Sequence, residues 1–121
     1  MSRDRTTQIL ENRSGGILTD RATATTGAIA LTVAPAAKWE LREIRVHLSS
    51  AGGAGNLTVK MDSGAGATYD SVVLTQDMTS ITDLEWQPDF PMIFDTLDEL
   101  DIAWANASNY TYGIEVIYSM R

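Results

Sequence analysis

The stretch Tyr110-Thr-Tyr-Gly-Ile-Glu-Val-Ile-Tyr118 decides the fold, because its side chains alternate between two faces along its whole length. Large apolar side chains occupy every second position from Tyr110 to Tyr118, and Thr111 and Glu115 lie between them. A period of two is typical of a β-strand that buries one face and exposes the other. The sequence therefore predicts a strand over these residues.

Earlier segments show the same kind of pattern and are separated by turn signals. Strands are predicted over 28–33, 39–48, 57–61, 69–75, 81–86, 92–94 and 100–104. The apolar parity changes within 39–48, which indicates a β-bulge near Arg42 and Glu43. Short strands at regular spacing are typical of a β-sandwich or barrel. We therefore expect an all-β fold, a single jelly-roll β-sandwich of about eight antiparallel strands over residues 28–121.

Residues 1–27 differ from this body in composition and are predicted to be an extended N-terminal arm. Residues 1–21 carry a net charge of +1, whereas the hundred residues that follow carry −8. The arm would order on the surface of a partner, as disordered segments can, although a frayed terminus is an alternative. The arm residues expected to bind this partner are Arg3, Arg5, Ile9, Leu10, Arg13, Ile17 and Leu18.

Composition excludes several classes of function. The chain has 121 residues, no cysteine and a net charge of −7. Without cysteine there is no disulfide framework, thiol nucleophile or Cys-ligated zinc. The acidic balance argues against a nucleic-acid binder, which needs clustered Lys and Arg. No apolar run reaches the roughly 18 residues of a membrane span, and the first residues lack a signal-peptide pattern, so synthesis in a cytoplasm is expected.

No pattern for catalysis or for a cofactor is found in the sequence. His47 is the one histidine, and no Gly-x-Ser-x-Gly elbow accompanies it. The glycine-rich stretches 52–55 and 63–66 lack the lysine of a phosphate-binding loop and are interpreted as hairpin loops. Acidic residues that a calcium ion could use are better explained as solvated loops; they are Asp62, Asp70, Asp95, Asp98, Glu99 and Asp101. We expect a non-enzymatic protein without a cofactor or metal.

The aromatic residues allow more than one interpretation. Trp39, Trp86 and Trp104 lie in predicted strands and are expected to fill the core. The face that bears Tyr110, Tyr112 and Tyr118 could belong to the core, to a subunit interface or to a platform on which sugars stack, because tyrosine combines apolar area with a polar tip.

The C-terminal half of the chain resembles a known class of viral proteins. The segments that bear the resemblance are Asp89-Phe-Pro-Met-Ile-Phe94, Leu97-Asp-Glu-Leu-Asp-Ile-Ala-Trp104, Asn106-Ala-Ser108 and Gly113-Ile-Glu-Val-Ile-Tyr118. They are similar to jelly-roll virion structural proteins of tailed bacteriophages, of the capsid decoration or cement type, and the similarity extends over 28–121.

The resemblance implies a protein of the capsid surface that binds the major capsid protein or another virion protein, as a homotrimer and without enzymatic activity. It implies no nucleic-acid or membrane partner. The alternatives are a carbohydrate-binding or receptor-binding module of a tail fibre, a tail or head–tail joining component, and a small enzyme with a carboxylate pair.

Overall fold

A computed structural model describes residues 17–24, 27–51 and 53–121. These residues form nine β-strands and one short 3-10 helix, Ala67–Tyr69. The strands are β1 (Ile17–Ala24), β2 (Ile29–Val33), β3 (Trp39–Leu48), β4 (Asn56–Asp62), β5 (Ser71–Asp77), β6 (Asp83–Trp86), β7 (Met92–Phe94), β8 (Glu99–Trp104) and β9 (Tyr112–Met120). Each of the eight predicted strands is present. No helix in the described part of the chain has the length and apolar character needed to cross a membrane.

The strands build two antiparallel sheets, which confirms the predicted all-β sandwich. One sheet has the order β1-β9-β3-β6, and β7 also pairs directly with β3, at residues 39–41, next to the part of β3 that pairs with β6. The other sheet has the order β2-β8-β4-β5. The pairs β1·β9, β2·β8, β3·β6 and β4·β5 are those of one long hairpin, and β3·β9 and β4·β8 form when that hairpin rolls up. This is the strand order of a jelly roll.

The first strand lies in the segment that the sequence analysis assigned to the extended arm. Residues 17–24 pair with β9 in continuous antiparallel register, from Ile17 opposite Ser119 to Ala24 opposite Tyr112. Leu18 packs against the core, and Ile17 is 59% exposed. The sheet therefore begins eleven positions before residue 28. The other arm residues, Arg3, Arg5, Ile9, Leu10 and Arg13, lie outside the described residues.

The core lies between the two sheets and is centred on an aromatic cluster. Trp39 is fully buried, stacks on Phe94 with ring centroids 4.2 Å apart, and meets the edge of Tyr118 at 5.3 Å. Trp104 is buried as well, and Trp86 packs against the core while partly exposed. The prediction that the tryptophans fill the core is confirmed.

The predicted bulge in β3 determines what the five-stranded sheet shows to solvent. Its pairing with β9 shifts between Leu41 and Glu43, so Arg42 is the extra residue. Leu41 faces the core, while Glu40 and Glu43 both face outward. The bulge thus brings Glu40, Arg42 and Glu43 to the outer side of the sheet, where the two glutamates are only 9% and 7% exposed.

Candidate functional site

The outer surface of the five-stranded sheet, called here the sheet face, is built from cross-strand rows of outward residues. Its central row runs Arg21, Glu115, Arg45, Glu85 across β1, β9, β3 and β6. Positive and negative side chains alternate along this row. Directly opposite charges on neighbouring strands attract one another, so the row stabilises the pairing order of the sheet.

Ion pairs and hydrogen bonds link the row to its neighbours. Arg21 Nε donates to Glu115 Oε2 at 2.7 Å, and Arg45 Nε donates to Glu43. Gln87 Nε2 also donates to Glu43 Oε1, at 2.6 Å. The hydrogen bond from Gln87, helped by Arg45 and opposed by burial, holds the pKa of the Glu43 carboxyl below its ordinary value. The Glu43 carboxylate therefore stays charged although most of its side chain is buried.

A groove of about 580 Å³ lies on the sheet face, at the row of residues beside the central row. That row is Thr23, Gly113, His47 and Asp83. Gly113 forms the floor of the groove: it has no side chain, and a Cβ added there would meet no atom within 4 Å, so the space above it is open. His47 Nδ1 lies 2.5 Å from Asp83 Oδ1 at the rim. His47 itself is exposed, whereas its neighbours Val46 and Leu48 are buried on the opposite face of β3.

The sheet face is nearly neutral on a body that is otherwise strongly acidic. Four arginines and five carboxylates lie on it: Arg21, Arg42, Arg45, Arg121, Glu40, Glu43, Asp83, Glu85 and Glu115. The rest of residues 17–121 holds two lysines against nine carboxylates, a net charge of −7. The negative charge of residues 17–121 is thus concentrated outside the sheet face, so an acidic partner is repelled least at this face.

A second surface lies at one end of the sandwich and is called here the loop end, formed by residues 63–70 and 95–98. The two loops are tied together, because the Asp98 carboxylate accepts hydrogen bonds from the backbone N–H groups of Gly64 and Asp95, each at 2.9 Å. On this linked base Leu97 is 74% exposed and Tyr69 is 64% exposed. The loop end therefore presents large apolar side chains on a backbone that is held in place.

Replacing Gly64 with alanine is expected to separate the two loops. The added Cβ would lie 2.4 Å from Leu97 Cβ and 2.8 Å from its backbone carbonyl carbon and oxygen. Overpacking of this kind costs about 1–3 kcal/mol of stability, and thermal unfolding should show it. Gly113→Ala is the matched control, since its Cβ meets nothing. Equal melting temperatures for the two variants would contradict the close approach of the loops.

Of the six carboxylates considered for calcium, Asp95 pairs with Lys38 at 3.6 Å, and the other five form two groups. Asp70 and Asp98 accept hydrogen bonds from backbone N–H groups and so hold turns together. Asp62, Glu99 and Asp101 offer oxygen atoms within 4.8 Å of one another on β4 and β8. Such a trio could hold a hard cation. Thr32 donates to Asp101 at 2.8 Å, so part of this group is already used within the protein.

The structure does not bring the predicted interface tyrosines to the surface. Tyr112 and Tyr118 are each 7% exposed and belong to the core, which corrects the interpretation of this face as a subunit interface or a sugar platform. Tyr110 packs against the core and is partly buried. Burial raises the pKa of the Tyr118 hydroxyl above its ordinary value, and nearby Asp20 adds to the effect. The alternating pattern was the sequence signal for this burial, because in a strand with a period of two the face that carries the large apolar side chains is normally the buried face.

Comparison with known proteins finds neither a matching family model nor a matching curated protein. Among solved structures, the chain is similar to chitosan-binding module 1 of a chitosanase/glucanase from Paenibacillus sp. IK-5, with TM-score 0.54, 12% identity, and coverage of 81% of this chain and 74% of that chain. A structure of Bacillus endospore appendages, described as disulfide-linked pili, matches with TM-score 0.40, 16% identity, and coverage of 91% and 94%. The infectious bursal disease virus Gx strain matches with TM-score 0.29, 13% identity, and coverage of 86% and 29%. The first of these likenesses supports the β-sandwich fold.

Proposed function

We propose that the protein is a non-enzymatic structural protein of a bacteriophage virion, which decorates the capsid surface and clamps capsid subunits as a homo-oligomer. Its partner is the major capsid protein or another virion protein. The sequence resemblance over 28–121 and the jelly-roll fold support this role, and the loop end is the observation on which the proposal rests.

The loop end has the properties of an attachment surface. Leu97 and Tyr69 expose most of their side chains to solvent, and covering such side chains contributes about 25 cal/mol per Å² of apolar area. The Asp98 hydrogen bonds hold the base of the surface before binding. A surface that is already ordered loses less conformational entropy on association. Ordered, exposed apolar side chains are typical of interaction sites.

The N-terminal segment is the second part of the proposed clamp. Ile17 begins β1, pairs with Ser119, and lies at the same end of the sheet as Arg121, whose backbone N–H bonds to the Lys38 carbonyl. β1 therefore starts at that end, and residues 1–16, which precede it in the sequence, contain three arginines against two acidic residues. A segment joined to a docked body binds at high effective concentration and adds avidity without a large interface.

Binding to capsids tests the proposal. Purified capsids of the phage that encodes the chain are stripped of it, mixed with the protein and sedimented. The wild-type protein should co-sediment with saturation at a fixed number of copies per capsid. The Leu97→Ser/Tyr69→Ser variant and a chain that lacks residues 1–16 should each lose at least tenfold in affinity.

Phe90 supplies the matched control, because its side chain is 82% exposed on a different loop, between β6 and β7. The Phe90→Ser variant should bind as the wild type does. Absence of wild-type binding would overturn the capsid proposal. Equal losses for Phe90→Ser and for the loop-end variant would remove the loop end as the attachment surface.

A further inference from the structure

We propose that the sheet face is the contact surface of a homodimer, in which two copies pack face to face. The two-fold axis would run parallel to the strands, between β9 and β3. This contact goes beyond capsid attachment and does not depend on it, because the loop end lies at the end of the sandwich and the sheet face lies on its side.

The central row is complementary to itself under this rotation. A two-fold axis along the strands reverses the left-to-right order of a row and leaves each row facing its own counterpart. Arg21 then faces Glu85 of the second copy, and Glu115 faces its Arg45. The reverse pairs form as well, since a two-fold interface is isologous. All four positions of each copy meet an opposite charge.

The groove row is complementary in shape. Under the same rotation His47, the outward ring of this row, faces Gly113 of the second copy. The space above Gly113 is open, and the groove there measures about 580 Å³. Each copy thus offers one projecting ring and one gap at matching positions. Thr23, at the edge of the row, faces Asp83 of the second copy, and its hydroxyl hydrogen stays with the Tyr112 carbonyl of its own chain.

The row at the start of β1 brings apolar side chains together. It runs Ile17, Ser119, Glu40, Ile93 across the sheet, so Ile17 of one copy faces Ile93 of the other. The two side chains are 59% and 46% exposed in the single chain. Pairing them would bury two of the large apolar side chains that the described residues expose.

Charge distribution favours a second copy as the occupant. Two chains that each carry −7 repel one another at most orientations. The sheet face carries only about one negative charge in excess, and the remaining −7 of residues 17–121 lies elsewhere. Face-to-face contact therefore brings the copies together where repulsion is smallest.

The size of the face fits a weak, specific dimer. Four strands spaced about 4.8 Å apart and nine residues of β9 at about 3.3 Å each give a face of roughly 600 Å² per copy. Two such faces are near the lower limit of specific interfaces, about 1,200 Å² in total. Facing sheets cross at about 30° because of their twist, so the register holds best near the axis, where Glu115 and Arg45 lie. The resemblance to decoration proteins implies a trimer, whereas this geometry gives a dimer.

A charge exchange between the two edges of the sheet separates contacts within a copy from contacts between copies. Arg21 and Glu85 lie on β1 and β6, with β9 and β3 between them, so they do not touch within one chain. Sedimentation equilibrium of the full chain, from micromolar to high micromolar concentrations at low salt, should show twice the 13.2 kDa monomer mass. Arg21→Glu alone and Glu85→Arg alone should each raise the dimer Kd at least fivefold. The double variant should return it toward the wild-type value.

Filling the groove is the second test. Gly113→Trp should raise the dimer Kd more than tenfold, because the new ring occupies the space that His47 of the second copy needs. Ala103→Trp is the matched control, since Ala103 is an exposed position on β8 of the opposite sheet. Circular dichroism confirms that each variant is folded, and a variant that is not folded is replaced by Gly113→Gln. A monomer or trimer at all concentrations, a double charge variant as weak as the singles, or equal effects of Gly113→Trp and Ala103→Trp would overturn the proposal.

Discussion

Replacing Trp39 with alanine is expected to lower the free energy of unfolding by about 3–5 kcal/mol, the usual cost of removing a buried aromatic side chain. Trp39 is fully buried and touches Phe94 of β7 and Tyr118 of β9. The substitution therefore leaves a cavity where three strands meet. Since domains of this size have about 5–15 kcal/mol of stability in total, denaturant unfolding should show a large shift in midpoint.

Trp86→Ala is the matched control for this prediction. Trp86 lies on the edge strand β6 and is partly exposed, so the same chemical change should cost less than half as much. Trp39→Phe should be far milder than Trp39→Ala, because it keeps a ring against Phe94 and removes an indole N–H that has no hydrogen-bond partner among the described residues. Equal costs for Trp39→Ala and Trp86→Ala would contradict the placement of Trp39 at the centre of the core.

Strand positions could be predicted from the sequence because burial on one face leaves a period of two. The segments around Leu57, Ile102 and Ile114 show this pattern, and all three residues are buried. The bulge could be predicted for the same reason, since it moved the apolar parity within β3. Alternation alone does not say which strands pair, because pairing depends on contacts between residues far apart in the chain.

The first strand could not be recognised because most of its inward residues are small or polar. The inward side of β1 holds Leu18, Asp20 and Ala22, and only the first of these has a large apolar side chain. An edge strand needs little apolar area of its own when its partner, here β9, supplies the large buried side chains. Strand propensity in a sheet is largely a matter of its neighbours, and the neighbours of β1 lie between 88 residues away, for Ala24 and Tyr112, and 102 residues away, for Ile17 and Ser119.

The sheet face illustrates the same limit for the candidate site. Arg21, Arg45, Glu85 and Glu115 are ordinary charged residues in the sequence, with no motif that joins them. They form one row only after β1, β3, β6 and β9 are placed side by side. The tyrosines were the more conspicuous residues, yet their parity assigns them to the core. The polar residues that alternate with the large apolar ones along such a strand therefore show better which side chains reach the surface.

Deleting residues 1–24 is expected to destroy the stability of the fold, whereas deleting residues 1–16 is expected to leave it intact. The longer deletion removes β1, uncovers the backbone of β9 along its pairing from Tyr112 to Ser119, and takes Leu18 and Ala22 from the core. An unpaired edge of that length is a site for aggregation. The longer deletion should lower the melting temperature by at least about 10 °C or yield insoluble protein.

The pair of deletions distinguishes a strand of the sandwich from an arm that serves only to bind. If residues 17–24 acted only as an arm, both truncated proteins would unfold at the wild-type temperature and both would fail in capsid binding. The pairing of Arg21 with Glu115 and of Thr23 with the Tyr112 carbonyl predicts a different result. Only the shorter deletion should give a folded protein, and that protein is the one in which loss of binding can be attributed to the N-terminal segment rather than to loss of structure.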